Sequence, residues 1–167
     1  MTRIVVVGTS GCGKTTLGKD MALKLGVPHT DLDDLYWLPG WQKRPEEDFE
    51  KRLVSVLSGD SWVVTGNFSR YAELIFSRAD QILWLDVPLL TCLFRALKRS
   101  LQRIRTGELC CNGNRESLGR LLSRDCTASI IIAGRDNYLC RFHGSESAPR
   151  YSTCSSFFEL DDFSKSL

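Results

Sequence analysis

Short apolar runs rich in β-branched residues alternate along most of the chain with longer segments that have helical periodicity. The apolar runs predict strands at residues 4–7, 27–30, 62–65 and 81–85. The periodic segments between and after them predict helices at residues 14–25, 45–57, 69–78 and 90–104. Because strands that alternate with helices form parallel sheets covered on both faces, the pattern predicts a three-layer α/β fold with a mostly parallel sheet.

The C-terminal part of the chain has a weaker pattern. Residues 106–114 are predicted as a loop and residues 115–124 as a short helix. Residues 129–133 fit either a strand or part of a buried helix. Residues 143–156 have no period and are predicted as a loosely packed tail, after which the apolar residues near 157–167 are expected to return to the fold.

A glycine-rich segment between the first strand and the first helix matches the pattern G-x-x-x-x-G-K-[ST] in full. Glycines let the backbone turn its N–H groups toward an anion, and the following helix directs its positive end to the same place. Lys14 adds a charge for the β- and γ-phosphates, and Thr15 offers a hydroxyl to magnesium. The segment therefore predicts a P-loop NTPase fold that binds ATP with Mg²⁺ through Gly8, Thr9, Ser10, Gly11, Cys12, Gly13, Lys14, Thr15 and Thr16.

Carboxylates follow two of the predicted strands, at the edge where ligands bind in parallel sheets. We expect Asp33 to orient or deprotonate an acceptor hydroxyl, or to hold magnesium, with Asp31 as the second choice for the acceptor. Capping of a helix by Asp33 or Asp34 is the alternative. Asp86 is either a further magnesium ligand or part of a turn before Pro88.

A second group of residues is predicted to contact the phosphoryl acceptor. It comprises Trp37, Gly66, Asn67 and Arg70, in addition to Asp31 and Asp33. Tyr36 and Trp41 could complete an aromatic wall with Trp37, although such residues pack in cores equally often.

Arginines crowd the long helix and the segment after it. Arg95, Arg99 and Arg103 share a helical face by their spacing of four residues, opposite a stripe formed by Leu90, Leu93, Leu97, Leu101 and Ile104. A mobile lid that supplies arginines to a transferred phosphoryl group would have this composition, and so would a solubilising helix face. The lid interpretation favours Arg99 and Arg115 ahead of Arg95, Arg103 and Arg120.

Composition and charge narrow the classes of protein. The chain of 167 residues suits one domain, and its net charge of +2 gives only weak support for nucleic-acid binding. No apolar segment is long enough to span a bilayer, and the seven cysteines include no CxxC pair, so we expect a cytoplasmic protein with reduced thiols. Within the single domain, the acceptor region is predicted at about 31–60 and the lid at about 99–120.

Several motifs together resemble the bacterial topology modulation proteins, which belong to the adenylate kinase-like group of P-loop kinases. They are the phosphate loop, Leu32-Asp33 with Leu35-Tyr36-Trp37, Pro39-Gly40-Trp41, Gly66-Asn67, Leu85-Asp86-Val87-Pro88 and Gly113-Asn114-Arg115-Glu116-Ser117. The resemblance covers residues 1 to about 125, and it implies an adenylate kinase-like fold. Thr65 stands where adenylate kinases carry a magnesium-binding carboxylate.

Two hypotheses about function follow. The first is an ATP-dependent phosphotransferase that moves the γ-phosphoryl group to a nucleotide, nucleoside or other small molecule, with Lys14, Asp33, Arg99 and Arg115 as catalytic residues and Thr15, Asp33 and Asp86 as magnesium ligands. The second is an ATP-binding regulator of DNA topology with little turnover. Oligomeric state is left open.

Overall fold

A five-stranded parallel sheet forms the centre of the computed structural model, which describes residues 1–121 and 150–154. Its strands are β1 (Arg3–Gly8), β2 (His29–Asp31), β5 (Trp62–Thr65), β6 (Gln81–Leu85) and β9 (Arg150–Cys154). They lie in the order β2-β5-β1-β6-β9, and every pairing is parallel. The predicted three-layer α/β fold is therefore confirmed.

Six α-helices and two small hairpins surround the sheet in the described residues. The helices are α1 (Lys14–Leu25), α2 (Leu32–Tyr36), α3 (Glu46–Leu57), α4 (Ala72–Phe76), α5 (Leu89–Thr106) and α6 (Leu118–Leu121). Strands β3 (Trp37–Leu38) and β4 (Gln42–Lys43) form one antiparallel hairpin, and β7 (Leu109–Cys110) and β8 (Asn114–Arg115) form the other.

The central strand β1 divides the core into two layers. Ile4 and Val6 pack with residues of α1, while Val5 and Val7 pack on the other face with residues of α3 and α4. All four side chains are buried, which explains why the run is continuously apolar instead of alternating. Burial of each such side chain stabilises the fold by roughly 1.5–3 kcal/mol.

The apolar stripe predicted to pack α5 against the fold is exposed instead. Leu90 is 80% exposed and Leu101 46%, whereas the buried positions of this helix are Cys92, Ala96 and Ser100. A Cβ built on Gly11 would overlap the carbonyl of Cys92 and lie 3.2 Å from the Ala96 Cβ. Because the phosphate loop approaches α5 this closely, only small side chains fit between them, and the leucine periodicity marks the other face.

Three other segments differ from their predictions. The predicted helix at 69–78 begins as a 3₁₀ turn at Ser69–Tyr71 before α4. The predicted loop at 106–114 contains most of the β7–β8 hairpin, and residues 150–154 of the predicted tail form strand β9. The predictions for residues 122–124, 129–133 and 157–167 lie outside the described residues. No helix in the described part of the chain has the length and apolar content needed to cross a membrane.

Gly18 allows α1 to lie close to the sheet. A Cβ at this helical position would overlap the Thr65 methyl group and lie 3.0 Å from the His29 Nε2. The His29 Nε2 and the Thr65 hydroxyl are 3.1 Å apart, within hydrogen-bond distance, so both side chains are held in place beneath the helix. The close spacing between α1 and the sheet therefore depends on the absence of a side chain at Gly18.

We expect Gly18→Ala to lower the free energy of unfolding by about 1 kcal/mol, measured by urea denaturation. Overpacking costs roughly 1–3 kcal/mol, which exceeds the gain of about 1 kcal/mol in helix propensity. Combining the change with Thr65→Ser, which removes the methyl group and keeps the hydroxyl, should recover most of the loss. A single variant as stable as the parent would contradict this account of the close packing.

Candidate active site

The phosphate loop has the backbone that its glycines predict. Gly8 has a φ of 148°, and a Cβ there would lie 2.8 Å from the Leu85 carbonyl oxygen and 2.9 Å from the Cys12 sulfur. Gly13 has a φ of 106° and is the residue from which α1 begins. The positive end of α1 therefore faces the loop, as anion binding requires.

Lys14 lies across the loop. Its Nζ donates hydrogen bonds to the carbonyl oxygens of Gly8, at 2.7 Å, and Thr9, at 3.0 Å. The ammonium group is thus held by the same backbone that would surround a phosphate. This position agrees with the predicted role of Lys14 in nucleotide binding.

The Thr15 hydroxyl is paired with Asp31. Its Oγ1 donates to the Asp31 Oδ2 at 2.7 Å, while the Asp31 Oδ1 accepts the N–H of Asp33 at 3.0 Å and caps α2. The sequence suggested Asp33 or Asp86 as the carboxylate partner of Thr15 at a magnesium ion. The structure brings Asp31 there, while Asp86 is an exposed residue beyond the end of β6. A hydroxyl and a carboxylate side by side are hard oxygen ligands of the kind that Mg²⁺ prefers, so these residues fit the ion.

Asp33 lies beside this pair in the first turn of α2. Its side chain retains access to solvent, but the surrounding protein removes much of its hydration and, together with the neighbouring carboxylate of Asp31, raises its pKa to about 6. The positive charges of Lys14 and Arg99 act in the opposite direction on this pKa. Two of the other three predicted catalytic residues, Lys14 and Arg99, therefore lie within electrostatic range of Asp33.

Asn67 holds the first glycine of the phosphate loop. Its Oδ1 accepts the Gly8 N–H at 3.1 Å, and its Nδ2 donates to the Gly8 carbonyl at 2.7 Å. The sequence predicted an acceptor contact for Asn67, and this bond to the loop was not foreseen. The neighbouring Gly66 donates its N–H to the Val6 carbonyl at 3.2 Å and packs against Leu32, because a Cβ on it would lie 2.9 Å from the Leu32 Cβ.

The other predicted acceptor residues lie in the surrounding region. Arg70 forms an ion pair with Glu46 at 2.5 Å, and its side chain is 74% exposed. Trp37 packs edge-on against both Tyr36 and Trp41, with ring centroids 4.9 and 5.7 Å away. The predicted aromatic group therefore exists as a packed cluster.

The β7–β8 hairpin contacts the acceptor region through asparagine side chains. The Asn112 Nδ2 donates to the carbonyls of Asp34, at 2.5 Å, and Trp37, at 2.6 Å. The Asn114 side chain donates to the Leu38 carbonyl at 3.0 Å and accepts the Trp41 N–H at 2.8 Å. These contacts were not predicted, although the Asn112-Gly113 pair is a strong hairpin signal.

The predicted lid arginines have different surroundings. Arg103 pairs with Glu116 at 3.1 Å and thereby joins α5 to the segment after β8. Arg115 is exposed, and its carbonyl accepts the indole N–H of Trp41 at 2.8 Å. The side chain of Arg120 lies outside what the structure describes.

Cys111 lies in the turn of the β7–β8 hairpin, within electrostatic range of the carboxylates of Asp33, Asp34 and Asp31. Burial raises the pKa of its thiol to about 12, with Asp33 the largest of the charges that add to the effect. The thiol is therefore protonated and neutral at physiological pH.

Comparison with known proteins finds similar sequences and folds that include kinases. No family model matches the chain. A protein of Bacillus subtilis described as uncharacterized, YqaC, is 28% identical over 102 residues, which is 60% of this chain and 57% of that protein. Shikimate kinase 2 of Sodalis glossinidius is 31% identical over 74 residues, 44% of this chain and 36% of that enzyme. The matched regions thus span less than two thirds of each of these curated relatives.

A solved structure matches over nearly the whole chain. It is shikimate kinase from Acinetobacter baumannii in complex with shikimate, with a TM-score of 0.60, 20% identity, and coverage of 99% of this chain and 90% of that one. This likeness shows that the chain has the P-loop kinase fold.

We expect Asn67→Asp to weaken Mg·ATP binding about tenfold by isothermal titration calorimetry, since a lost hydrogen bond to a partly buried group costs about 1–2 kcal/mol. The substituted carboxylate still accepts the Gly8 N–H but cannot donate to the Gly8 carbonyl. Gln42→Glu makes the same amide-to-carboxylate change on exposed β4 and should leave the affinity unchanged. Equal affinities for Asn67→Asp and the parent would exclude a role for Asn67 in shaping the loop.

Proposed function

We propose that the protein is an ATP-dependent kinase that transfers the γ-phosphoryl group to a hydroxyl of a small molecule. The observation that carries the proposal is the meeting of Lys14, the Thr15–Asp31 pair and Asp33 at one edge of the sheet. The similarity of short segments to shikimate kinases supports the same chemistry.

The nucleotide end of the site is assigned to the phosphate loop. The loop N–H groups and Lys14 bind the β- and γ-phosphates, because both are positive and converge on the space that the glycines leave open. Thr15 and Asp31 would hold magnesium, and Asp31 takes this role in preference to Asp33 and Asp86 because it already contacts Thr15. A bound magnesium ion supplies charge neutralisation of the phosphate oxygens.

Asp33 is assigned to the acceptor. Its carboxylate accepts the proton of the acceptor hydroxyl as the oxygen forms a bond to the γ-phosphorus and the bond from that phosphorus to the β–γ bridging oxygen breaks. The products are ADP and a phosphate monoester of the acceptor, and the proton leaves through Asp33. A pKa near 6 suits this role, since the group is mostly ionised at neutral pH and remains a useful base.

Arg99 and Arg115 are assigned to the lid. Arg99 is close enough to Asp33 to affect its pKa, so it can approach the transferred phosphoryl group. Arg115 belongs to the hairpin whose asparagines bind the acceptor region. Cations placed around that group stabilise its negative charge in the transition state.

The hypothesis of a DNA topology regulator gains no specific support from the described residues. Arg103 is paired with Glu116, and Arg99 lowers the pKa of Asp33. Part of the basic face of α5 therefore already interacts with other residues of the protein. Membership of the topology modulation proteins and a cytoplasmic location remain predictions from sequence. A plasmid-binding assay with a salt series tests the DNA hypothesis, because phosphate contacts weaken steeply with salt.

We expect Lys14→Ala to lower acceptor-dependent ATP consumption about a thousandfold, since a preorganised cation at a transferred phosphoryl group contributes on this scale. Lys51→Ala removes the same side chain from the exposed face of α3 and should retain parental activity. Comparable activity in both variants would refute the assignment of the loop as the nucleotide site.

We expect kcat/KM for the acceptor to rise with pH up to about 6 and then to level off, because the ionised form of Asp33 is the base and its pKa is raised to about 6. Asp33→Asn should lower kcat by roughly 10²–10⁴-fold and abolish this inflection. A pH profile in which the inflection persists in the variant would assign it to another group.

A further inference from the structure

The acceptor side of the site carries more negative than positive charge. Residues 31–52 contain seven carboxylates and four basic residues. Three of the carboxylates, Asp31, Asp33 and Asp34, lie within a single turn of chain at the carboxyl end of β2. An acceptor that reaches Asp33 must therefore enter a region of negative potential.

Each arginine that the structure places in this region is already bound to a carboxylate. Arg44 donates to Asp48 at 2.6 Å and to the Leu35 carbonyl at 2.6 Å, with only 11% of its side chain exposed. Arg52 pairs with the same Asp48 at 3.2 Å, and Arg70 pairs with Glu46. An acceptor anion that bound one of these arginines would displace the carboxylate that is paired with it. That carboxylate would then lie unpaired next to the bound anion.

Lys14 and Arg99 are the described cations that lower the pKa of Asp33, and both are assigned to the phosphoryl group. Lys14 is held at the phosphate loop by two backbone carbonyls. Arg99 belongs to the lid helix α5 and is assigned above to the transferred group, while Arg103 is paired with Glu116. None of these three is therefore left to bind a carboxylate or phosphate of the acceptor.

The contacts of the β7–β8 hairpin with the acceptor region are made by uncharged groups. Asn112 and Asn114 contact the acceptor region through amide groups, and the Cys111 thiol is protonated. The pKa of Asp34 is raised by burial and by the Asp31 carboxylate, and the opposing effects of Lys19 and His29 only partly offset this rise.

We propose that the acceptor is an uncharged polyhydroxylated small molecule, such as a sugar, polyol or nucleoside, and is neither a carboxylate nor a phosphate. The inference rests on the proposed kinase function and specifies the substrate class of the same site. Ionised carboxylates repel an anion, but they accept hydrogen bonds from hydroxyl groups. The carboxylates at the end of β2 could therefore recognise a polyhydroxylated acceptor.

The test compares matched acceptors in an ATP-consumption assay with purified protein. The pairs are sorbitol and gluconate, methyl shikimate and shikimate, and adenosine and AMP, and in each pair only the second member carries an anionic group. We expect the neutral member of the responding pair to have a kcat/KM about a hundredfold higher than the anionic member. A higher kcat/KM for the anion would overturn the inference and leave the kinase function intact, whereas no response to any compound would count against the kinase function.

Two variants test whether charge is the cause of the selectivity. Asp34→Asn should lower the ratio of kcat/KM for the neutral member to kcat/KM for the anionic member about five- to tenfold. Glu47→Gln removes one negative charge from the exposed start of α3 and should leave the ratio unchanged. Equal effects of the two variants on the ratio would show that the local carboxylates do not set the selectivity.

Discussion

The hydrogen bond between Thr15 and Asp31 is the contact on which the site depends. It joins the first turn of α1 to the end of β2, although β5 lies between β1 and β2 in the sheet. The bond can form because α1 lies close to β5, and Gly18, one turn beyond Thr15, leaves the space for that approach. Asp31 also caps α2 through the Asp33 N–H, so the position of helix α1 is transmitted to the acceptor carboxylate.

Charge divides the site into two halves. The phosphate loop offers backbone N–H groups, a helix end and Lys14, all of them positive, whereas the end of β2 offers three carboxylates. Asp33 lies at the boundary, where Lys14 and Arg99 oppose the effects of burial and of Asp31 on its pKa. This arrangement explains why the pKa of Asp33, a carboxylate within reach of the phosphate site, is about 6 and thus close to neutral pH. It also separates the groups that we propose bind the donor from those that we propose bind the acceptor.

Local patterns predicted the strand and helix around the phosphate loop well, and they did not predict the contacts of the proposed acceptor residues. The β-branched run before Gly8 and the helix from Lys14 to Leu25 follow from periodicity and from Gly26, which ends the helix with a φ of 66°. The pairings of Thr15 with Asp31 and of Asn67 with Gly8 join residues distant in sequence, and no local pattern encodes them. The regular repeat of leucines on α5 indicated the wrong buried face. The face that is buried carries small residues, because it packs closely against the phosphate loop.

A crystal structure of the protein with Mn²⁺ and a non-hydrolysable ATP analogue tests the central claim most directly, because the anomalous signal of manganese locates the metal independently of any activity. The account predicts the ion at the Thr15 hydroxyl, roughly 2.1–2.3 Å away, with Asp31 as a direct or water-bridged ligand and the γ-phosphate beside Lys14. Metal bound at Asp86, or a nucleotide bound away from the loop, would contradict it.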